Sequence, residues 1–203
     1  MKYPENITEI AALQPDYLGF IFWKKTSRFM DVTSIPELPV TTKKVGVFVD
    51  ASATEIRSKV TQYQLDIVQL HGNESASFCT EIKLLNVEII KVFSIGTNFD
   101  FSVLEQFLPM VDYFLFDTKG KLPGGNGVTF DWEILENYPF EKPFFLSGGI
   151  GINELEAIKA FQKTIVAEKC IAIDVNSKFE TKPGLKNKIE LEKFKKLLYE
   201  YEI

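Results

Sequence analysis

A carboxylate at the end of a short apolar run is the first feature of this chain that could carry acid–base chemistry. The apolar run Tyr113–Phe116 has the length of a strand, and it ends on Asp117. Four glycines follow, at positions 120, 124, 125 and 127. Barrels built from parallel strands place catalytic groups at this position, where a buried strand ends beneath a loop. A turn or helix-capping aspartate is the alternative role for Asp117.

Two neighbouring strand ends predict a phosphate site. Gly148 and Gly149 follow one apolar run and precede a helix start, and Asp174, Asn176 and Ser177 end the next apolar run. Glycine lets the backbone approach a ligand closely, and a helix N-terminus offers free N–H groups. In eight-fold barrels the loops after the last two strands often form a phosphate cradle. Two ordinary glycine and Asx turns are the alternative.

Two further polar residues follow predicted strands. Arg28 ends a basic run after Trp23, and its planar guanidinium could clamp a carboxylate. A solvated run of charges is the alternative interpretation. His71 could be an acid–base group, but a histidine at a turn has many hydrogen-bonding uses, so a structural role is favoured.

Composition excludes several classes of partner. The chain has 203 residues, of which 45% are hydrophobic and 25% charged, which predicts one domain over residues 1–203. A net charge of −5 argues against nucleic-acid binding. The sequence contains neither an 18-residue apolar span nor a signal-peptide pattern, so we expect no membrane association and a cytoplasmic location. The basic run 182–188 is interpreted as a solvated loop facing an anion.

Cysteine and histidine usage predicts a protein without a metal site. Cys79 and Cys170 are too few for a disulfide framework, and His71 is the single histidine. Cys79 lies in an amphipathic stretch and Cys170 at a strand start. We therefore expect both to be packing thiols in a reducing compartment.

Apolar runs alternate with amphipathic stretches along the whole chain. This order predicts parallel strands joined by crossover helices. There are seven strands and about eight helices, and the first element is a helix, whereas a closed eight-fold barrel starts with a strand. The pattern therefore predicts an α/β fold, a (β/α)₈ TIM barrel whose first strand is absent, with an open doubly wound sheet as the alternative. The predicted strands are 17–23, 45–49, 66–70, 87–93, 113–116, 144–146 and 171–175, and the predicted helices lie near 5–13, 53–64, 74–85, 99–108, 131–137, 152–162 and 188–201, with a short helix or turn at 31–39.

The motifs, taken in order, resemble those of phosphoribosylanthranilate isomerase across nearly the whole chain. The matching segments are DYLGFIF at 16–22, SRF at 27–29, GVFVD at 46–50, VQLHGNE at 68–74, FD at 116–117, GGNG and FDW within 124–132, SGGI at 147–150, and DVNS through PGLK at 174–186.

The resemblance implies an enzyme of tryptophan biosynthesis that uses neither metal nor cofactor. Its reaction is an Amadori rearrangement of a small phosphosugar, N-(5-phosphoribosyl)anthranilate. The resemblance implies that Asp117 is the general acid and that Arg28 holds the anthranilate carboxylate. It also implies that the phosphate is surrounded by Gly148, Gly149, Asp174, Asn176 and Ser177.

The chain departs from the family at its general base. That base is a cysteine on the first strand, in a Lys-Val-Cys-Gly type motif that normally lies upstream of the segment matching Met1. We therefore expect a gapped barrel with two unpaired edges, a possible homodimer through the gap, and little activity. We also expect the loop 119–128 to be mobile. Other phosphosugar barrels fit less well, because an epimerase needs metal-binding histidines and this chain has a single histidine. The alternative from another class of protein is a non-catalytic phosphosugar-binding barrel.

Overall fold

Seven parallel strands form the central sheet of the computed structural model, which describes residues 1–118 and 130–199. The strands pair in chain order, from β1 to β7, and an antiparallel hairpin of β8 and β9 follows them. The strands are β1 Tyr17–Ile21, β2 Lys43–Phe48, β3 Ile67–Leu70, β4 Glu88–Ile95, β5 Tyr113–Thr118, β6 Phe144–Leu146, β7 Cys170–Ile173, β8 Glu180–Lys182 and β9 Leu185–Lys186.

Helices occupy most of the predicted amphipathic stretches. The α-helices are α1 Pro4–Ala11, α2 Ala53–Tyr63, α3 Ala76–Lys83, α4 Leu155–Phe161 and α5 Lys188–Tyr199. The stretches predicted near 99–108 and 131–137 form 3₁₀ helices instead, Phe101–Phe107 and Trp132–Asn137. Each is confined between a capping aspartate and a proline two residues beyond its end, which leaves too few residues to offset the cost of nucleating an α-helix. Shorter 3₁₀ turns lie at Ile152–Glu154, Ile165–Lys169 and Ser177–Phe179.

The sheet is curled, and apolar side chains cover both of its faces. Alternate residues of a strand point to opposite faces, so a strand buried on both sides needs continuous apolar sequence. The concave face holds Val45, Ile67, Ile90, Val92, Leu115 and Phe145, whereas the larger cluster packs the convex face against the helices. The rings of Tyr17 on β1 and Phe145 on β6 meet at a centroid distance of 4.9 Å across the concave face. This contact between strands far apart in the sheet order defines the curl.

The end strands of the sheet are β1 and β7. Over the ranges that the structure describes, no backbone pairing joins them. The α-amino group of Met1 donates a hydrogen bond to the Gly19 carbonyl on β1. The seven parallel strands predicted from the sequence are therefore observed as one α/β sheet.

Two sequence-based expectations fail outside the sheet. The basic run 182–188 is not a solvated loop, because it forms most of the β8–β9 hairpin and the start of α5, with the Lys186 ammonium buried against Glu180. Residues 31–39, predicted as a short helix or turn, have an irregular backbone. The loop 119–128, predicted to be mobile, lies outside the described residues.

Candidate functional site

Asp117 is the next-to-last residue of β5 and lies at the carboxyl edge of the sheet. Its side chain is buried, and its Oδ1 accepts a hydrogen bond of 2.8 Å from the Thr118 N–H. The other oxygen, Oδ2, lies 3.4 Å from His71 Nε2, at the end of β3. A carboxyl group held at a strand end beside an imidazole can donate or accept a proton within a sheltered site.

A cavity of about 710 Å³ opens at this edge of the sheet and extends between β1 and β7. The residues predicted as site residues from the sequence all line this cavity. They are Arg28, Asp117, Gly148, Gly149, Asp174, Asn176 and Ser177, and His71 lines it with them.

The glycine pair after β6 has a backbone that other residues adopt poorly. Gly148 and Gly149 have φ angles of 99° and 65°, both in the left-handed region. A Cβ atom on Gly148 would lie 2.1 Å from Thr118 Oγ1 and 2.7 Å from the Thr118 backbone nitrogen. The loop therefore packs directly against the end of β5, next to Asp117.

Asp174 is a second, partly buried carboxyl group of the cavity. Ser147 donates a hydrogen bond of 3.2 Å from its Oγ to Asp174 Oδ2. Burial raises the pKa of Asp174 above its ordinary value, and the neighbouring charge of Asp117 raises it further. The two carboxyl groups are thus coupled, and burial disfavours ionisation of Asp174.

Arg28 faces a carboxylate of the same chain. Its Nη2 lies 2.7 Å from Glu180 Oε2, and its Nε donates to both Glu180 oxygens. Lys186 donates to Glu180 Oε1 at 3.2 Å and to the Asn176 carbonyl at 2.8 Å. Two cations therefore surround the Glu180 carboxylate in this part of the cavity wall.

The charges in that group shift one another's titration. Burial opposes ionisation of Glu180, but the Arg28 hydrogen bonds and the Lys186 charge outweigh it and hold the Glu180 pKa below its ordinary value. Burial lowers the pKa of Lys186. Neither Glu180 nor Lys186 was a site candidate from the sequence. The pair Arg28–Glu180 joins residues 152 positions apart, a separation that no local motif reports.

Both cysteines are poor nucleophiles. Cys79 is buried on α3 and Cys170 begins β7 at the amino edge of the sheet, as expected. Burial raises the pKa of each thiol to about 11. A thiol of this kind is almost wholly protonated at neutral pH, so neither is suited to act as a base there.

A curled parallel sheet with its polar cavity at the carboxyl edge is the arrangement of α/β barrel enzymes. The model of one family, described as N-(5'phosphoribosyl)anthranilate (PRA) isomerase, matches residues 1–197. The chain therefore belongs to the N-(5'-phosphoribosyl)anthranilate isomerase family of tryptophan biosynthesis enzymes, as its motifs indicated. No helix in the described ranges has both the length and the apolarity to cross a membrane.

Individual relatives agree with this assignment. The N-(5'-phosphoribosyl)anthranilate isomerase of Parabacteroides distasonis is 42% identical, over 96% of this chain and 88% of the relative. The crystal structure of the phosphoribosyl anthranilate isomerase of Thermus thermophilus superposes with a TM-score of 0.83 at 22% identity, covering 98% of this chain and 96% of that one. A further isomerase structure, in complex with reduced 1-(o-carboxyphenylamino)-1-deoxyribulose 5-phosphate, gives a TM-score of 0.77 at 24% identity, covering 98% and 94%.

Proposed function

We propose that this chain converts N-(5-phosphoribosyl)anthranilate into 1-(2-carboxyphenylamino)-1-deoxyribulose 5-phosphate, with Asp117 as the general acid. The observation that carries the proposal is the position of Asp117, a buried carboxyl group at a strand end, in one cavity with Arg28 and the Gly148–Gly149 loop. The relative solved with a reduced form of this product binds a ligand of the same chemical class.

In the proposed reaction Asp117 gives its proton to the furanose ring oxygen. The bond between that oxygen and C1 breaks, and the nitrogen lone pair forms a C1=N bond. A base then removes the proton on C2. The electron pair of the broken C2–H bond forms a C1=C2 bond, and the π electrons of the C1=N bond return to nitrogen, which becomes neutral. Tautomerisation of the resulting enol gives the 2-keto product, so the reaction needs neither metal nor redox cofactor.

Two parts of the cavity wall suit the two anionic ends of the substrate. The Gly148–Gly149 backbone, with Asp174, Asn176 and Ser177, would surround the phosphate, because left-handed glycines present backbone N–H groups to an anion. Arg28 would hold the anthranilate carboxylate, sharing its guanidinium with Glu180. Lys186, the second cation on Glu180, would share that carboxylate and so leave part of the guanidinium for the substrate.

In this proposal the general base lies on an eighth strand. We infer that the complete barrel has a first strand seated between β1 and β7, and that this strand carries the base. Three observations support this inference: over the described ranges β1 and β7 are not paired with each other, the cavity extends between them, and both cysteine thiols have a raised pKa. Sheet edges that lack a partner strand also suit pairing with a second copy of this chain, as a homodimer through the gap. We place the single-domain enzyme in the cytoplasm.

The test follows loss of substrate fluorescence in the chain beginning at Met1 and in a form extended by a first strand with a Lys-Val-Cys-Gly motif. We expect turnover only in the extended form, and Asp117→Asn should lower its kcat by about 10²–10⁴-fold. Asp112→Asn is the matched control, since Asp112 precedes the same strand at its opposite end and bonds the Ile89 N–H. Turnover in neither form, together with tight binding of the product analogue, would favour a non-catalytic phosphosugar-binding barrel. Turnover in both forms would contradict the assignment of the base.

A further inference from the structure

A buried ion pair lies beneath the cavity, apart from the residues assigned so far. Lys91 on β4 and Glu74 after β3 are both almost fully buried, and Lys91 Nζ lies 3.0 Å from Glu74 Oε2. Burying two charges costs several kcal/mol per ion before their attraction is counted. An apolar pair would fill this space at less cost, so a position that holds such a pair invites a functional explanation.

The pair binds the backbone on both sides of His71. Lys91 Nζ donates to the Leu70 carbonyl at 3.2 Å and to the Gly72 carbonyl at 2.7 Å. Glu74 accepts from the Gly72 N–H at 3.0 Å. His71 is thus the one residue between two anchored neighbours.

The same pair links His71 to the strand on the other side. Glu74 Oε1 accepts a hydrogen bond of 2.9 Å from the Asp50 N–H, just beyond the end of β2. The His71 N–H donates to the Phe48 carbonyl of that strand at 2.8 Å. The ends of β2, β3 and β4 are therefore fastened together beneath His71.

The imidazole held in this way reaches Asp117. His71 Nε2 lies 3.4 Å from Asp117 Oδ2, and over the described residues this buried nitrogen completes no hydrogen bond. Asp117 Oδ1 is already fixed by the Thr118 N–H. Within the described residues, His71 Nε2 is the polar side-chain atom that lies against the second carboxyl oxygen, Oδ2.

We infer that the Lys91–Glu74 ion pair is a positioning device that holds His71 against Asp117, and that His71 in turn orients the Asp117 carboxyl for its proton transfer. The inference deepens the proposed function, since it rests on Asp117 being the acid. His71, Lys91 and Glu74 are positioning residues, and they act through Asp117.

The first test measures the position of His71 without any turnover. His71 is the only histidine of the chain, so its ring Hε1–Cε1 signal in an NMR spectrum needs no assignment by mutagenesis. Asp117→Asn should move this signal, because the ring loses a carboxylate at 3.4 Å. In a Lys91→Met background the same Asp117→Asn change should move it by less than half as much. Equal displacement in both backgrounds, or none in the first, would overturn the inference.

Two further variants keep this test decisive. Glu74→Gln preserves the shape of the side chain and removes only its charge, so it replaces Lys91→Met if that variant does not fold. Lys43→Met is the control, because the Lys43–Glu88 pair, at 2.8 Å, links β2 to β4 at the opposite edge of the sheet. The His71 displacement in the control should match that in the parent chain.

The second test uses the form that turns over the substrate. His71→Asn and Lys91→Met should each lower kcat by about 10²-fold, as misplacement of a reacting group does, with KM unchanged. The double variant should lose no more kcat than His71→Asn alone, since both substitutions disrupt the same contact of His71 with Asp117. Losses that multiply would contradict the inference. An Asp117→Asn variant that remains fully active would defeat the proposed function instead, whatever the NMR result.

Discussion

Replacing Gly148 by alanine tests whether the loop after β6 is held against β5 as the structure indicates. The added methyl group would meet the Thr118 side chain at 2.1 Å and the Thr118 backbone nitrogen at 2.7 Å. The threonine side chain can rotate away, but the backbone nitrogen belongs to β5 and cannot move alone. The loop would therefore have to shift away from Asp117.

The expected cost has two parts. A left-handed backbone costs an alanine about 1–2 kcal/mol, and overpacking against a fixed neighbour adds about 1–3 kcal/mol. We expect Gly148→Ala to lower the free energy of unfolding by about 2–5 kcal/mol. For a chain of this size, that loss lowers Tm by roughly 4–20 °C. The same shift should weaken binding of the product analogue.

Gly19→Ala is the matched control for this substitution. A Cβ atom at Gly19, on β1, has no atom within 4 Å, and its φ angle is not positive. Alanine in a strand is better than glycine by roughly 0.5–1 kcal/mol, so this variant should be at least as stable as the parent chain. Thermal unfolding and calorimetric titration with the product analogue measure both variants. A Gly148→Ala protein with the Tm and affinity of the Gly19→Ala protein would refute the argument.

Three further predictions follow from the buried charges and thiols. Asp174→Asn should stabilise the protein by on the order of 1 kcal/mol at pH 7. The folded-state pKa of Asp174 is raised above its ordinary value of 3.8, so its ionised form destabilises the folded protein increasingly as the pH rises above that value. Thermal unfolding scans near pH 3 should therefore show no stabilisation by the substitution. Glu180→Gln should cost about 3 kcal/mol in urea unfolding, because it leaves two cations without their counter-charge, and an unchanged midpoint would show that the pair is not buried in solution. Cys79 and Cys170 should react with a disulfide reagent at pH 7 roughly 100-fold or more slowly than a free thiol, and fast labelling of either would contradict the raised pKa of its thiol.

The strands were predictable because their sequence pattern is also the physical cause of their burial. Apolar runs such as those in β3 and β5 are covered on both faces, and each begins within a residue or two of its predicted position. The hairpin of β8 and β9 was missed, because two- and three-residue strands rich in lysine carry no apolar alternation. The 3₁₀ helices were predicted only as helices, since periodicity does not distinguish the two kinds over six or seven residues.

The residues of the candidate site that follow strands could be predicted from the sequence, but their contacts with residues from other strands could not. Asp117 and the glycine pair carry local signals, a polar residue or a turn directly after an apolar run. The partners of Arg28 and His71 do not, because Glu180 and Asp117 come from distant parts of the chain. His71 was assigned a structural role from the sequence, and its contact with Asp117 could be found only once β3 and β5 were placed in the same curled sheet.

The order of the strands in the sheet has a consequence for how the protein folds. Every pairing from β1 to β7 joins strands that are consecutive in the chain. The entropy lost on closing a loop grows with its length, so contacts between near neighbours form at the lowest cost. Each strand can therefore add to those already assembled as it leaves the ribosome, and the sheet would grow in one direction during synthesis. A contact such as Tyr17 with Phe145, which joins β1 to β6, would form late and limit the rate at which the cavity takes its final shape.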